Sequence, residues 1–244
     1  MKILLTNDDG YNAIGIKILF EKLQKYGEVT IVAPHTHMSG ASVSRVFWNE
    51  SKVYKHSDQV YSVEGTPADA VHFAIFGLKL NPDLVVSGIN DGLNIGLDTI
   101  YSGTVGAGME ALKANIAAIA FSCDFNFFAP AETDFETVMD FIISHQLLTN
   151  KYLLNVNFIS KKHTKSKGIL LTDIAFRPMN NYYLEGPNGT YKNRRSYLPY
   201  EYIPNTDLWA AEYGYTSITP LKLGNRTFTG LTELRKRVNE HEKP

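Results

Sequence analysis

Two acids stand side by side at Asp8 and Asp9, separated by Thr6-Asn7 from the apolar run Ile3-Leu4-Leu5 and directly before Gly10. Carboxylates held that close repel each other, and taking both out of water while ionised is costly without a counter-charge. A divalent cation is the natural counter-charge. The competing reading is a turn at Asp9-Gly10 with Asp8 as a helix cap, a common use of acids in loops. What separates the readings is company. Ser39-Gly40-Ala41-Ser42 and Ser87-Gly88-Ile89-Asn90-Asp91-Gly92-Leu93-Asn94 also follow apolar runs, and Tyr101-Ser102-Gly103-Thr104 opens a helical pattern. Ser39 and Asn90 would add a hydroxyl and an amide carbonyl to the two carboxylates. Such an all-oxygen set suits a hard ion such as Mg²⁺, Mn²⁺ or Ca²⁺. Taken singly, Ser39 and Asn90 are ordinary turn formers; jointly the four residues make a candidate metal site.

The segment Ser102-Gly103-Thr104-Val105-Gly106-Ala107-Gly108 puts small residues and hydroxyls where a helix begins. Free backbone N–H groups and the helix dipole favour an anion such as phosphate there. The segment lacks the Gly-Lys-Ser/Thr ending of a P-loop and the spacing of a dinucleotide fingerprint. Its glycines also suit close helix–sheet packing. His35 and His37 precede Ser39, but no third His or Cys stands at a spacing that would make a zinc site, so they read as surface or substrate-edge residues. The chain has no Gly-x-Ser-x-Gly elbow. Its single cysteine, Cys123, reads as a buried thiol.

These residues need elements to hold them. Lys2 to Thr6, Glu28 to Ala33, Asp83 to Ser87, Ala117 to Ser122 and Leu153 to Phe158 read as buried strands. Between them, Ile14, Ile18, Leu19 and Leu23 recur at helical spacing up to about Tyr26, and Val105, Met109, Leu112 and Ile116 mark one face of another helix. A helix starts near Thr66, with Thr66 as its cap, Pro67 at the first helical position and Asp69 close behind. Phe135 to Leu147 is a further helix. Strands alternating with helices imply an α/β fold, a Rossmann-like three-layer core around a mainly parallel sheet. Ligands of such sheets bind beyond the carboxyl ends of the strands, where the polar loops stand.

After about residue 160 the texture changes. Residues 1–160 read as the catalytic core and 161–244 as a C-terminal extension. Within the extension, Phe176 to Tyr202 reads as an exposed, tyrosine-rich β-hairpin arm turning at Gly186-Pro187-Asn188-Gly189. Thr216 to Leu221 reads as a closing strand and 231–238 as a terminal helix. With 244 residues, 44% hydrophobic content and a formal net charge of −1, the chain can bury a sizeable core and lacks the basic excess of a protein that binds a nucleic-acid duplex. The N-terminal apolar run is too short for a signal peptide, and no stretch approaches the roughly 20 apolar residues of a membrane span. The expected compartment is the cytoplasm.

Several of these segments together resemble the SurE (survival protein E) family. They are Ile3-Leu4-Leu5-Thr6-Asn7-Asp8-Asp9-Gly10, Val32-Ala33-Pro34 with Ser39-Gly40-Ala41-Ser42, Gly65-Thr66-Pro67-Ala68-Asp69, Pro82 to Asn90, Gly92-Leu93-Asn94, Tyr101 to Val105, and Gly214 to Leu221. The resemblance implies a metal-dependent nucleotidase with one divalent cation per subunit, Mg²⁺ or Mn²⁺, on Asp8, Asp9, Ser39 and Asn90. It implies nucleoside 5′- or 3′-monophosphates as substrates, short polyphosphate as a further one, and a dimer or tetramer assembled through the C-terminal extension. On this reading the cation polarises a phosphoryl oxygen and activates water. Asn94, Ser102, Gly103 and Thr104 hold the phosphate, and Asp8 is the candidate proton acceptor. Two alternatives belong to other classes. An aspartyl-phosphate phosphatase would place a second acid two residues after Asp8, where the chain has Gly10. A non-catalytic nucleotide-sensing or scaffold protein would have no need of four intact ligand positions.

Overall fold

A computed structural model describes residues 1–222. Its elements run β1 (Lys2–Thr6), α1 (Ile14–Leu23), β2 (Glu28–Pro34), β3 (Val53–Ser57), β4 (Val60–Val63), α2 (Pro67–His72) and β5 (Leu84–Asp91). They continue with α3 (Gly103–Lys113), β6 (Ala117–Cys123), α4 (Ala129–Ser144), β7 (Leu153–Asn157) and β8 (Ile169–Leu171). Last come β9 (Met179–Glu185), β10 (Tyr191–Tyr197), α5 (Asp207–Tyr213) and β11 (Thr216–Leu221). Nine strands form one sheet in the order β3-β4-β2-β1-β5-β6-β7-β11-β8. From β4 through β7 all neighbours are parallel, whereas β3 and β11 run antiparallel to β4 and β7. The α/β architecture expected from the alternation of patterns is therefore present.

The central strands are apolar on both faces because helices cover both. Ile3 and Leu5 of β1 pack with Ile16, Leu19 and Leu23 of α1 and with Phe135, Val138 and Met139 of α4. Leu4, one residue out of phase, packs with Ala70 and Val71 of α2 and Val105 and Leu112 of α3. Side chains alternate across a strand, so the unbroken run Ile3-Leu4-Leu5 feeds both layers. Each such side chain contributes about 1.5–3 kcal/mol when fully buried.

The capping residues act as expected at Thr66: its hydroxyl accepts from Asp69 N, and Asp69 returns a carboxylate to Thr66 N. Some boundaries differ from expectation. α4 begins at Ala129, six residues before Phe135, with Pro130 in its first turn. α3 stops at Lys113, and Ile116 packs against its layer from beyond the helix, after Asn115 takes a positive φ. The edge strand β3, its neighbour β4, the short β8 and the helix α5 were not anticipated.

The stretch beyond residue 160 supplies both a piece of the sheet and an arm. β11 and β8 extend the central sheet, with β11 spanning the expected 216–221. β9 and β10 form a separate two-stranded ladder whose residues are nearly all exposed. The helix expected at 231–238 lies outside the described residues. Among the described residues no helix is long and apolar enough to cross a membrane.

Candidate active site

β1 lies between β2 and β5 with Leu5 opposite Ile31 and Val86, and Thr6 opposite Ser87. The parallel strands thus end at one edge, and the chain emerging from β1 turns sharply there. Asn7 closes that turn: its Nδ2 donates to Gly10 O at 2.9 Å, and its Oδ1 accepts from Gly10 N at 3.2 Å. Asp8 and Asp9 are the two residues inside the turn.

Asp8 is only 2% exposed. One carboxylate oxygen, Oδ1, accepts the hydroxyl proton of Thr104 at 2.6 Å. Burial pushes its pKa up to about 6, with the Thr104 bond opposing and the Asp9 charge adding to the rise. Asp9 is more open, yet burial raises its pKa too. Its Oδ2 accepts from Asp91 N at 3.3 Å, and its Oδ1 lies 3.2 Å from His37 Nδ1. The turn therefore carries two carboxylates that resist ionising together, the electrostatic condition a cation would relieve.

Ser39 and Asn90 arrive on the neighbouring strands' loops. The loop after β2 is tied to the turn by Met38 N, which donates to Asp8 O at 2.7 Å, and Ser39 follows with its side chain exposed. Asn90 sits where the pairing of β5 with β6 shifts register after Ser87. Its Nδ2 donates to Gly92 O at 2.7 Å, which commits the amide nitrogen and leaves the carbonyl oxygen to act as a ligand. Each of the two neutral donors is thus one residue from a hydrogen bond to the acid pair. Among the described residues no three His, Cys, Asp or Glu side chains are grouped to hold a metal. A cation here must then draw on neutral oxygens as well as Asp8 and Asp9, the donor chemistry of a hard ion. The donor set fits such an ion.

The start of α3 lies against the same carboxylate. A Cβ added at Gly103 would come 2.9 Å from Asp8 Cβ and 3.0 Å from its Oδ2, so only glycine lets the helix approach this closely. Ser102 caps α3, its Oγ accepting from Val105 N at 3.1 Å. The N–H groups of Gly103 and Thr104 in the first turn are the natural anion donors. The Thr104 hydroxyl is already given to Asp8, so what Thr104 offers an anion is its backbone N–H.

Asn94 is buried in a polar network. Its Nδ2 donates to Ser122 Oγ at 2.8 Å, and its backbone N donates to Asn157 Oδ1 at 2.8 Å. Its carbonyl accepts from Asn155 Nδ2 and Asn157 Nδ2. Sequence reading missed Ser122, Asn155, Asn157 and the Asp9 contacts of His37 and Asp91. A polar residue inside an apolar strand pattern, as at Asn155 and Asn157, was the available signal. His35 turns away from the turn instead, its Nδ1 2.9 Å from Ser62 Oγ and its ring beside Tyr11 and Tyr54. A cavity of about 680 Å³ borders Ser102 and Ser42 but none of Asp8, Asp9, Ser39 or Asn90.

With this geometry in view, the family profile described as Survival protein SurE matches residues 3–181. A protein of Mannheimia succiniciproducens named 5′-nucleotidase SurE is 37% identical over 242 residues, covering 96% of this chain and 98% of its own. A Haemophilus influenzae protein of the same name is 36% identical over 255 residues, covering 98% of each. The crystal structure of SurE protein from Aquifex aeolicus superposes with a TM-score of 0.83 at 33% identity, covering 98% of this chain and 100% of its own.

The raised pKa of Asp8 has a measurable consequence in protein stripped of metal. The folded state keeps its proton up to about pH 6, whereas the ordinary aspartate value is 3.8. Between those values the folded state binds more protons than the unfolded, so Asp8 makes stability fall as pH rises, by up to about 1.4 kcal/mol per pH unit. Asp8→Asn removes this contribution while keeping an oxygen for Thr104. In EDTA, the unfolding free energy of the variant minus that of the parent should grow from pH 4 to 6 and level off above about 6.5. Parallel urea-denaturation profiles for the two proteins would mean that Asp8 titrates normally.

Proposed function

The chain belongs to the survival protein SurE family, and from that premise we propose that it is a metal-dependent phosphomonoesterase that hydrolyses nucleoside monophosphates to nucleoside and phosphate, a 5′-nucleotidase. The observation that carries the proposal is the contact between the acid pair and the helix start. Asp8 lies against Gly103 and takes the Thr104 hydroxyl, which sets a cation-seeking turn beside an anion-seeking helix terminus. A phosphate monoester has the complementary form, an anion able to share its oxygens with both.

In this proposal Asp8, Asp9, Ser39 and Asn90 hold one divalent cation, Mg²⁺ or Mn²⁺. The bound ion supplies Lewis acidity toward a phosphoryl oxygen and the acidity that makes water nucleophilic near neutral pH. The chain's own groups do the rest. The N–H groups of Gly103 and Thr104 and the capped turn at Ser102 bind the phosphate and stabilise charge developing on it. Thr104 fixes the orientation of Asp8, whose Oδ2, the oxygen not taken by Thr104, accepts the proton leaving the attacking water. Asn94 turns its amide toward phosphate when Ser122 donates its hydroxyl proton to Asn94 Oδ1; amide nitrogen and oxygen occupy equivalent places, so the exchange needs no movement of the backbone. A cytoplasmic setting completes the proposal.

Phosphate release from a panel of 5′- and 3′-nucleoside monophosphates, with Mn²⁺ and with chelator, tests the reaction. The expected result is release that chelator abolishes and that Asp9→Asn reduces by at least about 100-fold. Asn94→Ala should lower turnover by about the same order, the usual loss for one preorganised donor, while calorimetric Mn²⁺ affinity stays near that of the parent. Chelator-resistant release, or full turnover in Asp9→Asn, would refute the ligand assignment.

The β9–β10 arm supports a second part of the proposal, assembly into a dimer or tetramer. A lone two-stranded hairpin is marginal in water, yet this one exposes Tyr182, Tyr183, Leu184, Tyr191 and Tyr197. Aromatic residues of that kind are enriched at interface centres. Replacing residues 180–200 by a short Gly/Ser linker should lower the particle mass measured by light scattering. A folded variant that keeps the parent mass would exclude the arm as the assembly element.

A further inference from the structure

Asp207 takes no part in the chemistry above, yet it is a fully buried carboxylate. Three backbone N–H groups converge on it. Oδ1 accepts from Ala175 at 2.9 Å and from Leu208 at 2.8 Å, and Oδ2 accepts from Gly96 at 2.7 Å. Charge-assisted bonds of this kind are roughly twice as strong as neutral ones, and a buried N–H left without its acceptor is costly. Two of the three donors belong to the C-terminal stretch itself. The third belongs to the segment between Asn94 and Thr104.

That segment is anchored at its start, where Asn94 bonds to Ser122, Asn155 and Asn157. It coils through a 3-10 turn at Gly96–Ile100, with Thr99 Oγ1 on Gly96 O at 2.8 Å, and Ser102 N on Thr99 O at 3.4 Å leads into α3. On its other side Ser42 grips it, Oγ on Ile100 O at 2.7 Å and N on Tyr101 O at 3.1 Å. Gly96 adopts φ +57°, and a Cβ there would meet Ala175 O at 3.1 Å, so the C-terminal stretch presses directly on the loop. Arg195 of β10 also reaches the segment, both Asp98 oxygens lying 3.1 Å from its Nη1. That pair is half exposed and such pairs contribute little. Between Asn94, anchored by Ser122, Asn155 and Asn157, and Thr104, anchored by Asp8, Asp207 is the buried carboxylate that ties the segment to the C-terminal stretch.

We infer that Asp207 is a positioning residue for the hydrolytic reaction: its carboxylate fixes the 94–104 segment, and with it Asn94 and the first turn of α3, in register with Asp8. The residues beyond 160 thereby act on the phosphate-binding side of the site, besides extending the sheet and forming the arm. This inference rests on the proposal that the 94–104 segment holds phosphate. Asp207 bonds to none of the four cation ligands, since Asp8 and Asp9 follow β1, Ser39 follows β2 and Asn90 lies on β5.

Asp207→Asn separates the two duties of the carboxylate. With its amide oxygen toward Ala175 and Leu208, asparagine keeps both bonds within the C-terminal stretch and sets an NH₂ against Gly96 N, cutting only the tie to the loop. In the full chain, Asp207→Asn should raise the inhibition constant of inorganic phosphate and lower kcat, each about tenfold or more, with Mn²⁺ affinity within about threefold of the parent. Asp207→Ala should do the same and also lower the melting temperature. Variants that melt early but keep the parent's phosphate inhibition and kcat per folded molecule would reduce Asp207 to a structural role and overturn the inference. Hydrogen exchange on the unaltered protein gives a test independent of variants: the Gly96 amide should exchange as slowly as core strands, and rapid exchange there overturns the inference. A parent protein that neither hydrolyses nucleotides nor binds phosphate would instead refute the proposed function.

Discussion

Two carboxylates at the end of a central strand, one nearly dry and the other against it, resist being ionised together, and Asp8 holds its proton up to about pH 6. Most of the architecture around the site follows from that constraint. Asn7 spends its whole amide on Gly10 to hold the turn that presents them. Thr104 gives its only hydroxyl proton to Asp8, and Gly103 has no side chain so that the helix can come near enough for this to happen. Asp91 N and His37 address Asp9. None of these neighbours is a fixed positive charge on the Asp8 side, which is why a cation is the counter-charge proposed for it.

The parallel sheet makes the convergence possible. Strands that run the same way end at the same edge, and the loops leaving β1, β2 and β5 meet there without long excursions. Meeting is not the same as registration, however. The loop after β2 is tied to the acid turn through Met38 N and to the α3 entry through Ser42. The loop after β5 is held through Asn94 by Ser122, Asn155 and Asn157, and through Gly96 by Asp207. Polar side chains inside strands β6 and β7 have no packing reason to be there; their bonds to one loop carbonyl and one loop amide supply the reason.

What could be read in the sequence was what short-range physics writes. Central strands buried on both faces leave unbroken apolar runs, so β1, β2, β5, β6 and β7 were legible, and so was the edge at which their polar loops gather. The Thr66 cap was legible because a capping box is confined to four residues. The edge strand Val53-Tyr54-Lys55-His56-Ser57 was not, since it is half polar and nearly all exposed. α5 was missed although Thr206 before Asp207, with Gly214 closing the helix, is a usable signal at both ends. Longer-range facts had no local trace: the Thr104 hydroxyl reads as a phosphate ligand until its partner 96 residues away is known. Asp207 carries no local sign of its bond to Gly96, 111 residues away.

The central claim is that the turn at Asp8-Asp9 is built to exchange a proton for a cation. Calorimetric titration of the metal-free protein with Mn²⁺ at pH 6, in two buffers of different ionisation enthalpy, measures that exchange, because deprotonation of a ligand releases its proton to the buffer. With Asp8 near half-protonated at that pH, about half a proton or more should be released per ion bound. The release should shrink toward zero at pH 8 and be absent in Asp8→Asn. Tight binding with no proton release at pH 6, or release that survives in Asp8→Asn, would contradict the account.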